Sequence, residues 1–238
     1  MKLIIDIGNT KVKLALFLNK ELIRQEAIAK FSKEEINNFC SNESYVSSIV
    51  SSVRDLSKYE KELLSDIGAI ILNKDTPIPI SSNYLSMQTL GSDRIAGVVG
   101  ATMRFPKKNI WVFDAGTCLT MDFIDEHKIY HGGRISPGIN MRFTALNKFT
   151  DKLPLVQIED RAKFIGNDTN SSIISGVQNG IVDEVNTLLS EYTKQNNDFV
   201  VIFTGGDCFF FEKALKISIF ADPFLVLRGL NEILDFNE

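Results

Sequence analysis

The chain has 238 residues, enough for one large domain or two small ones, and its 44% hydrophobic and 24% charged residues are ordinary for a globular protein with a real core. Net charge is −4, from 26 basic and 30 acidic side chains, and no basic block runs along the chain, so binding of nucleic acid through phosphate neutralisation is not favoured. No apolar run reaches the ~18 residues of a membrane span and the N-terminus is not a secretory signal, so no membrane partner is expected.

Leu3, Ile4 and Ile5 form an apolar run short enough for a buried strand, which ends in Asp6. Gly8, Asn9 and Thr10 make a turn, and Val12, Leu14 and Leu16 alternate with Lys11, Lys13 and Ala15 on a returning strand. A carboxylate at the end of a buried strand is costly unless it meets a cation or several donors. A glycine turn with exposed N–H groups and two lysines nearby suits a phosphate chain. An ordinary hairpin with a turn rich in Asn and Gly has the same pattern. Glu21 to Ile28 is a third strand. Ser32 with Glu35 and Ser57 with Glu60 have capping-box spacing and open short helices to about Phe39 and Asp66. Tyr45 to Val53 is strand-like, Ala69 to Leu72 is a short buried strand, and residues 75–90, with Pro77, Pro79 and several serines, form a loop. Strands alternating with helices predict an α/β layer architecture.

Ser92 or Asp93 is placed to cap a helix whose apolar face is Ile95, Val98, Val99 and Met103, with Pro106 beyond its end. The helix dipole favours Asp93 in the first turn but not Arg94. A cation at that end has two explanations, a bound anion or simple solvation on a plain capped helix. From Ile110 the chain begins again: Ile110 to Phe113 is an apolar run ending in Asp114, Ala115-Gly116-Thr117 is a turn, and strands 119–124 and 129–131 follow. This copies the opening order and reads as an internal duplication. It predicts a boundary near residues 105–109 and a cleft with one acidic turn on each wall.

Gly132 to Gly138, GGRISPG, is too rich in Gly and Pro for regular structure and predicts a shaped loop before a helix from Ile139. Asn167 to Ser172 is a polar capping turn. It leads to a long helix with Ile174, Val177, Ile181, Val185, Leu188 and Tyr192 on one face and Gly176 and Gly180 open to a close neighbour. Phe199 to Phe203 is a buried strand running into Thr204-Gly205-Gly206-Asp207, which suits a nucleotide edge and is also a common turn. Leu225 to Asp235 is a packing helix, and Phe209, Phe210 and Phe211 read as core or interface. His127 and His131 flank a strand edge without a Cys or carboxylate constellation, which disfavours a metal role. Cys40, Cys118 and Cys208 are far apart and outside any CxxC pair. They argue for reduced thiols in a cytoplasm rather than a disulfide frame or a zinc site.

DIGNTKVK at 6–13, GSDR at 91–94, DAGTCLT at 114–120, GGRISPG at 132–138, NDTNSSIISG at 167–176 and TGGD at 204–207 occur in the order seen in type III pantothenate kinases. The chain resembles that family, within the superfamily of sugar kinases, Hsp70 and actin, over nearly its whole length. Cys118 departs from the family, which more often has Ala there. The resemblance implies an α/β actin-like ATPase fold of two duplicated ribonuclease H-like domains, 1–108 and 109–238, with mixed sheets flanked by helices around a cleft. It implies ATP-dependent phosphorylation of the primary hydroxyl of pantothenate to 4'-phosphopantothenate, the first step of coenzyme A biosynthesis.

By the same resemblance, Asp6, Ile7, Gly8, Asn9, Thr10, Lys11, Val12 and Lys13 hold the ATP phosphates, with Asp6 near Mg²⁺, and Thr117 touches the nucleotide. Asp114 is the expected ligand of a monovalent cation, K⁺ or NH₄⁺. Tyr84, Gly91, Ser92, Asp93, Arg94 and Thr169 contact pantothenate, with Asp93 the proton acceptor. A homodimer is implied, with the pantothenate pocket near its interface. Asp93, at a helix N-terminus, is expected to be ionised and to orient the hydroxyl rather than act as a strong base. Arg94 is expected to pair with the pantothenate carboxylate. No role follows for His127, His131 or Cys118. The competing readings are another small-alcohol or sugar kinase, a phosphoanhydride hydrolase, and a non-catalytic nucleotide-binding regulator. Intact Asp6, Asp93, Arg94 and Asp114 weigh against the last.

Overall fold

The structure, a computed structural model, describes residues 1–238 apart from 42 and 197. The chain opens with three adjacent strands, β1 (Lys2–Ile7), β2 (Val12–Leu18) and β3 (Glu21–Ile28), with β2 antiparallel to both neighbours. Helix α1 (Lys33–Cys40) starts at Ser32, whose Oγ accepts the Glu35 N–H at 3.2 Å. Strand β4 (Ser47–Ser52) returns parallel to β1, α2 (Lys58–Asp66) starts at a full Ser57–Glu60 capping box, and β5 (Ile70–Ile71) lies parallel to β4. The sheet order is β3-β2-β1-β4-β5. β1 and β4 read as continuous apolar runs because Leu3, Ile4, Ile5, Ile49 and Val50 are all buried. The edge strand β3 exposes Arg24, Gln25 and Glu26, charged or polar groups that discourage pairing with another chain.

The remaining elements are β6 (Ser81–Ser82), α3 (Ser92–Arg104), β7 (Asn109–Ala115), β8 (Cys118–Ile124), β9 (Ile129–Pro137), α4 (Ile139–Lys148), α5 (Thr169–Ile174), α6 (Gly180–Thr193), β10 (Phe199–Thr204), α7 (Cys208–Ala214), β11 (Phe220–Ala221) and α8 (Leu225–Phe236). The second sheet has the order β11-β10-β7-β8-β9-β6. Setting aside the two-residue β6, strands 9-8-7-10-11 repeat 3-2-1-4-5 position by position. β10 is parallel to β7 as β4 is to β1, and β11 is parallel to β10 as β5 is to β4. The duplication signalled by two Asp-Gly turns is therefore also a duplication of topology. Among the described residues no helix is long and apolar enough to cross a membrane.

The chain divides into two compact units. Met1–Lys108 groups with Asp122–Gly132 and Phe224–Glu238, and Asn109–Met121 groups with Gly133–Pro223. A single cut after residue 108 follows the duplication, whereas the compact units follow packing, and the last helix is the clearest instance. α8 lies on α3 so closely that a Cβ on Gly229 would sit 1.7 Å from the Ala96 carbonyl oxygen, and one on Gly100 2.5 Å from that of Leu225. Small residues on α3 make room for this crossing, and Ile95 through Thr102 are all buried, while Met103, expected on the apolar face, is 37% exposed. Gly229→Ala is expected to destabilise the protein by about 1–3 kcal/mol through overpacking. Calorimetry should then show a melting temperature lower by roughly 3–10 °C; an unchanged value would contradict the tight crossing. The first unit is filled by Leu3, Ile5, Leu14, Phe31, Phe39 and Leu64, and the second by Ile181, Val185 and the stacked rings of Phe113, Phe203 and Phe211.

Two sequence expectations are corrected. GGRISPG is not an irregular loop, because β9 continues through it to Pro137. Gly132 takes φ +96°, with the Tyr84 ring 3.0 Å from where a Cβ would be, and Pro137 is the last strand residue. The long helix expected from 174 is interrupted by a π-helical turn at 175–179 between α5 and α6. Gly176 and Gly180 have nothing within 4 Å of a built Cβ, so no other part of this chain packs closely against them.

Candidate active site

In the first unit, β1 delivers Asp6 to the end of a buried strand. Asp6 stands opposite Lys13 on β2 and Ser51 on β4. The Ser51 hydroxyl donates to Asp6 Oδ1 at 2.7 Å, and the carboxylate is buried. Burial pushes its pKa up, against the opposing pull of Lys13 and Ser51. Directly beyond, Gly8 N–H closes the turn on the Lys11 carbonyl at 3.0 Å, and Asn9, Thr10 and Lys11 are exposed. A cavity of about 240 Å³ adjoins this turn, lined by Gly8–Val12 together with Lys30, Arg54 and Tyr59. Arg54 is held on Glu60 at 2.6 Å, and its guanidinium helps to bring the Glu60 carboxyl down to about 2. Ile7 and Val12 are buried and anchor the hairpin rather than presenting side chains.

The start of α3 is fastened to the end of β4. Ser92 Oγ accepts the Ser52 N–H at 3.2 Å and donates to the Ser52 carbonyl at 3.1 Å. The helix N-cap is Gly91, not Ser92 or Asp93, which lie inside the first turn. Gly91 leaves room for the Asp93 carboxylate, which folds back over it: a Cβ there would be 2.4 Å from Asp93 Oδ1, so that side chain would have to shift. Asp93 Oδ1 accepts the Arg94 N–H at 2.8 Å. Burial raises the Asp93 pKa; the Arg94 N–H lowers it, and the carboxylates of Asp6 and Asp122 raise it further, for a net upward shift. The expectation of an ordinary ionised carboxylate is thereby adjusted toward a more basic one.

Arg94 is also corrected. The cation at the helix start is neither solvated nor dependent on a bound anion, because it is 7% exposed and gripped by Asp122 on β8. Nε lies 3.0 and 3.1 Å from the two Asp122 oxygens and Nη2 2.6 Å from Oδ1. Burial acts to lower the Arg94 pKa, but Asp122 outweighs it and the guanidinium stays charged. Tyr130 donates to Asp122 Oδ1 at 2.6 Å, and the Tyr84 ring lies 5.7 Å from the Arg94 guanidinium carbon and 5.8 Å from the Tyr130 ring. The structure thus brings together Asp6, Lys13, Ser92, Asp93, Arg94 and Tyr84, and adds Ser51, Asp122 and Tyr130, which the sequence reading passed over. Asp122 carried a usable signal: a carboxylate inside an apolar strand needs a cation, and Arg94 was a cation without a reason.

In the second unit, Asp114 lies next to the end of β7, opposite Thr204 on β10. Gly116 N–H donates to the Cys118 carbonyl at 2.9 Å, leaving Thr117 exposed at the turn. Gly138 N–H donates to the Thr117 carbonyl at 3.1 Å, and a Cβ on Gly138 would lie 2.2 Å from the Gly116 carbonyl. Gly205, at φ +85°, passes so near that a Cβ would be 2.4 Å from Asp114 Oδ1. Asp207 N–H closes the cluster on the Ala115 carbonyl at 2.9 Å. Three glycine-bearing segments therefore shape the Asp114 turn. Thr169 opens α5 in this unit, exposed and preceded by the cap residue Asp168. His131 Nε2 lies 2.7 Å from Asp125 Oδ2, and no metal-holding cluster of His, Cys, Asp or Glu occurs among the described residues.

The family model described as type III pantothenate kinase matches residues 2–191. A type III pantothenate kinase of Phocaeicola vulgatus is 43% identical over 240 residues, covering 100% of this chain and 99% of that one. The chain belongs to the type III pantothenate kinase family. The enzyme uses ATP and a divalent metal to phosphorylate pantothenate in coenzyme A biosynthesis. Its fold is shared with a Baf family protein of Campylobacter jejuni described as a transcriptional activator, at TM-score 0.66, 23% identity and 99% and 98% coverage of the two chains. It is shared also with the Clostridium difficile activator of 2-hydroxyisocaproyl-CoA dehydratase with bound ADPNP, at TM-score 0.55, 12% identity and 99% and 93% coverage. These likenesses describe the actin-like ATPase fold alone.

Proposed function

We propose that Asp93 accepts the proton of the pantothenate primary hydroxyl while the turn from Asp6 to Lys13 holds the ATP phosphates. The observation that carries this is the Ser92–Ser52 fastening, which sets the Asp93 carboxylate within the electrostatic reach of Asp6 at the strand end. The hydroxyl oxygen forms the new bond to the terminal phosphorus, the bond from that phosphorus to the ADP oxygen breaks, and the hydroxyl proton passes to Asp93. Most of the rate enhancement in such transfers comes from positioning and charge neutralisation. A raised Asp93 pKa makes it a better acceptor late in the transfer.

The donor set at the strand end fits a divalent metal carried by ATP: a buried carboxylate pushed toward neutrality gains from a nearby cation, and the oxygen chemistry suits Mg²⁺. Asp6 would hold that ion, which supplies neutralisation of the triphosphate when bound. Lys11, Lys13 and the backbone of Gly8, Asn9 and Thr10 bind and orient the phosphates. Gly91, Ser92 and Tyr84 shape the pantothenate side. Arg94 is committed to Asp122 and adds fixed position there rather than a free charge.

In the second unit, Thr117 is assigned a nucleotide contact and Asp114 a monovalent cation, K⁺ or NH₄⁺. The support is the close-packed turn, where Gly205 passes beside both an Asp114 carboxylate oxygen and the Ala115 carbonyl. Turnover should fall at least about tenfold when K⁺ and NH₄⁺ are replaced by a bulky organic cation, and Asp114→Asn should erase that dependence. Equal rates in both salts would remove the cation from the account.

The enzyme acts as a homodimer in this reading, with Thr169 close to the interface. Phe149 is 81%, Phe164 89% and Ile165 76% exposed, an amount of bare aromatic and aliphatic surface near Thr169 in sequence that a second copy would cover. Sedimentation equilibrium at micromolar protein should return twice the chain mass; a monomer would overturn the assignment.

A further inference from the structure

We infer that Asp122 is a positioning residue of the kinase: it fixes the Arg94 guanidinium and, through the first turn of α3, aims the Asp93 carboxylate. This rests on the reading of Asp93 as proton acceptor. Asp122 is 2% exposed and Arg94 7%, yet both carry charge in the interior of the first unit. An ion pair buried in this way is weak evidence for stability, because desolvation offsets most of the attraction. Its geometry is nonetheless fully specified. Two nitrogens of Arg94 make three hydrogen bonds to the carboxylate, Tyr130 donates a fourth, and the Tyr84 ring flanks the guanidinium. Gly132, at φ +96°, lets the Tyr84 ring close against β9.

Arg94 is the residue next to Asp93, and its backbone N–H is the donor that holds Asp93 Oδ1 at 2.8 Å. Fixing the Arg94 side chain therefore fixes the peptide that orients the acceptor. Charge matters as well. The groups acting on Asp93 are Asp6 from β1, Asp122 from β8 and Arg94 from α3 itself. The Asp122 carboxylate raises the Asp93 pKa and so offsets the pull of the Arg94 guanidinium on the basicity that the proton transfer uses. Asp122 itself needs no contact with either substrate in this role.

The test is steady-state kinetics on Asp122→Asn, which keeps the shape and removes the charge. The expected result is a fall in kcat of about 10–100-fold, as for a reacting group displaced by a fraction of an ångström to an ångström, with KM for ATP changed less than about twofold. In an Arg94→Gln background the same change should cost no more than about twofold, because Asp122 acts through Arg94. A folded Asp122→Asn enzyme with full kcat overturns the inference, and so does an undiminished loss in the Arg94→Gln background. Removing one partner of a buried pair can unfold a protein. If circular dichroism shows that outcome, Tyr130→Phe decides: it deletes one hydrogen bond to Asp122 and should lower kcat about 3–10-fold at unchanged KM for ATP, whereas an unchanged kcat overturns the inference. Full activity in Asp93→Asn would instead sink the parent reading; an inactive Asp93→Asn beside a fully active Asp122→Asn sinks this inference alone.

Discussion

Asp93→Asn should leave ATP binding intact and lower kcat by about 10²–10⁴-fold, the range expected when a positioned proton acceptor is removed. Asn preserves the size of the side chain and its carbonyl can still accept the Arg94 N–H that Asp93 Oδ1 accepts now at 2.8 Å, so the start of α3 should survive. What disappears is a carboxylate whose pKa burial has raised, with Asp6 and Asp122 adding to the shift and Arg94 opposing it. In the wild type, the acid limb of the kcat/KM–pH profile should consequently lie above the ordinary aspartate range, since activity needs the ionised form and folding favours the neutral one. Stopped-time ADP assays across pH, with isothermal titration for ATP affinity, check both parts. Near wild-type turnover in the variant would remove Asp93 from the mechanism.

The second large effect is at Asp6. Asp6→Asn should reduce kcat/KM for MgATP by about 10²–10³-fold, comparable to loss of one preorganised electrostatic partner. The same substitution should not destabilise the ligand-free protein. Burial raises the Asp6 pKa above its unfolded value despite Lys13 and Ser51, so folding favours the neutral form and the charge costs stability near neutral pH. The sign is therefore opposite to that of a structural salt bridge: at Asp6, ligand-free stability should rise as pH falls through the raised folded pKa toward the ordinary aspartate range, and the amide should match or exceed the carboxylate in melting temperature. An amide variant that melts several degrees lower would mean that Asp6 serves the fold rather than the phosphates. A residue kept at a cost to the empty protein is what a site for a cationic ligand requires.

The pattern of apolar runs and turn glycines was enough to place β1, β2, β7, β8 and β10, because those strands are largely buried and bounded by turn residues. The repeat of an Asp-Gly turn pointed to a duplication that the 3-2-1-4-5 strand order repeats. The family motifs carried the function. What local pattern could not supply was long-range pairing. Ser51 is an unremarked serine until the parallel register of β1 and β4 sets it beside Asp6. Arg94 looked like an isolated exception at its helix end, and its partner Asp122, 28 residues away, drew no notice within its strand. GGRISPG read as a loop because Gly and Pro weaken strands on average; here one glycine is needed for its backbone angle and the proline stands at the strand's last position. The π-helical turn at 175–179 leaves the apolar spacing on either side almost undisturbed, so periodicity could not reveal it.

The most direct test is a crystal structure of the enzyme with pantothenate and a non-hydrolysable ATP analogue. The analogue's phosphates should lie on the Gly8–Lys13 turn and the pantothenate primary hydroxyl roughly 2.6–3.2 Å from an Asp93 oxygen, the reach of a proton acceptor. Phosphates bound elsewhere, or a hydroxyl turned toward a different group with Asp93 out of reach, would contradict this assignment.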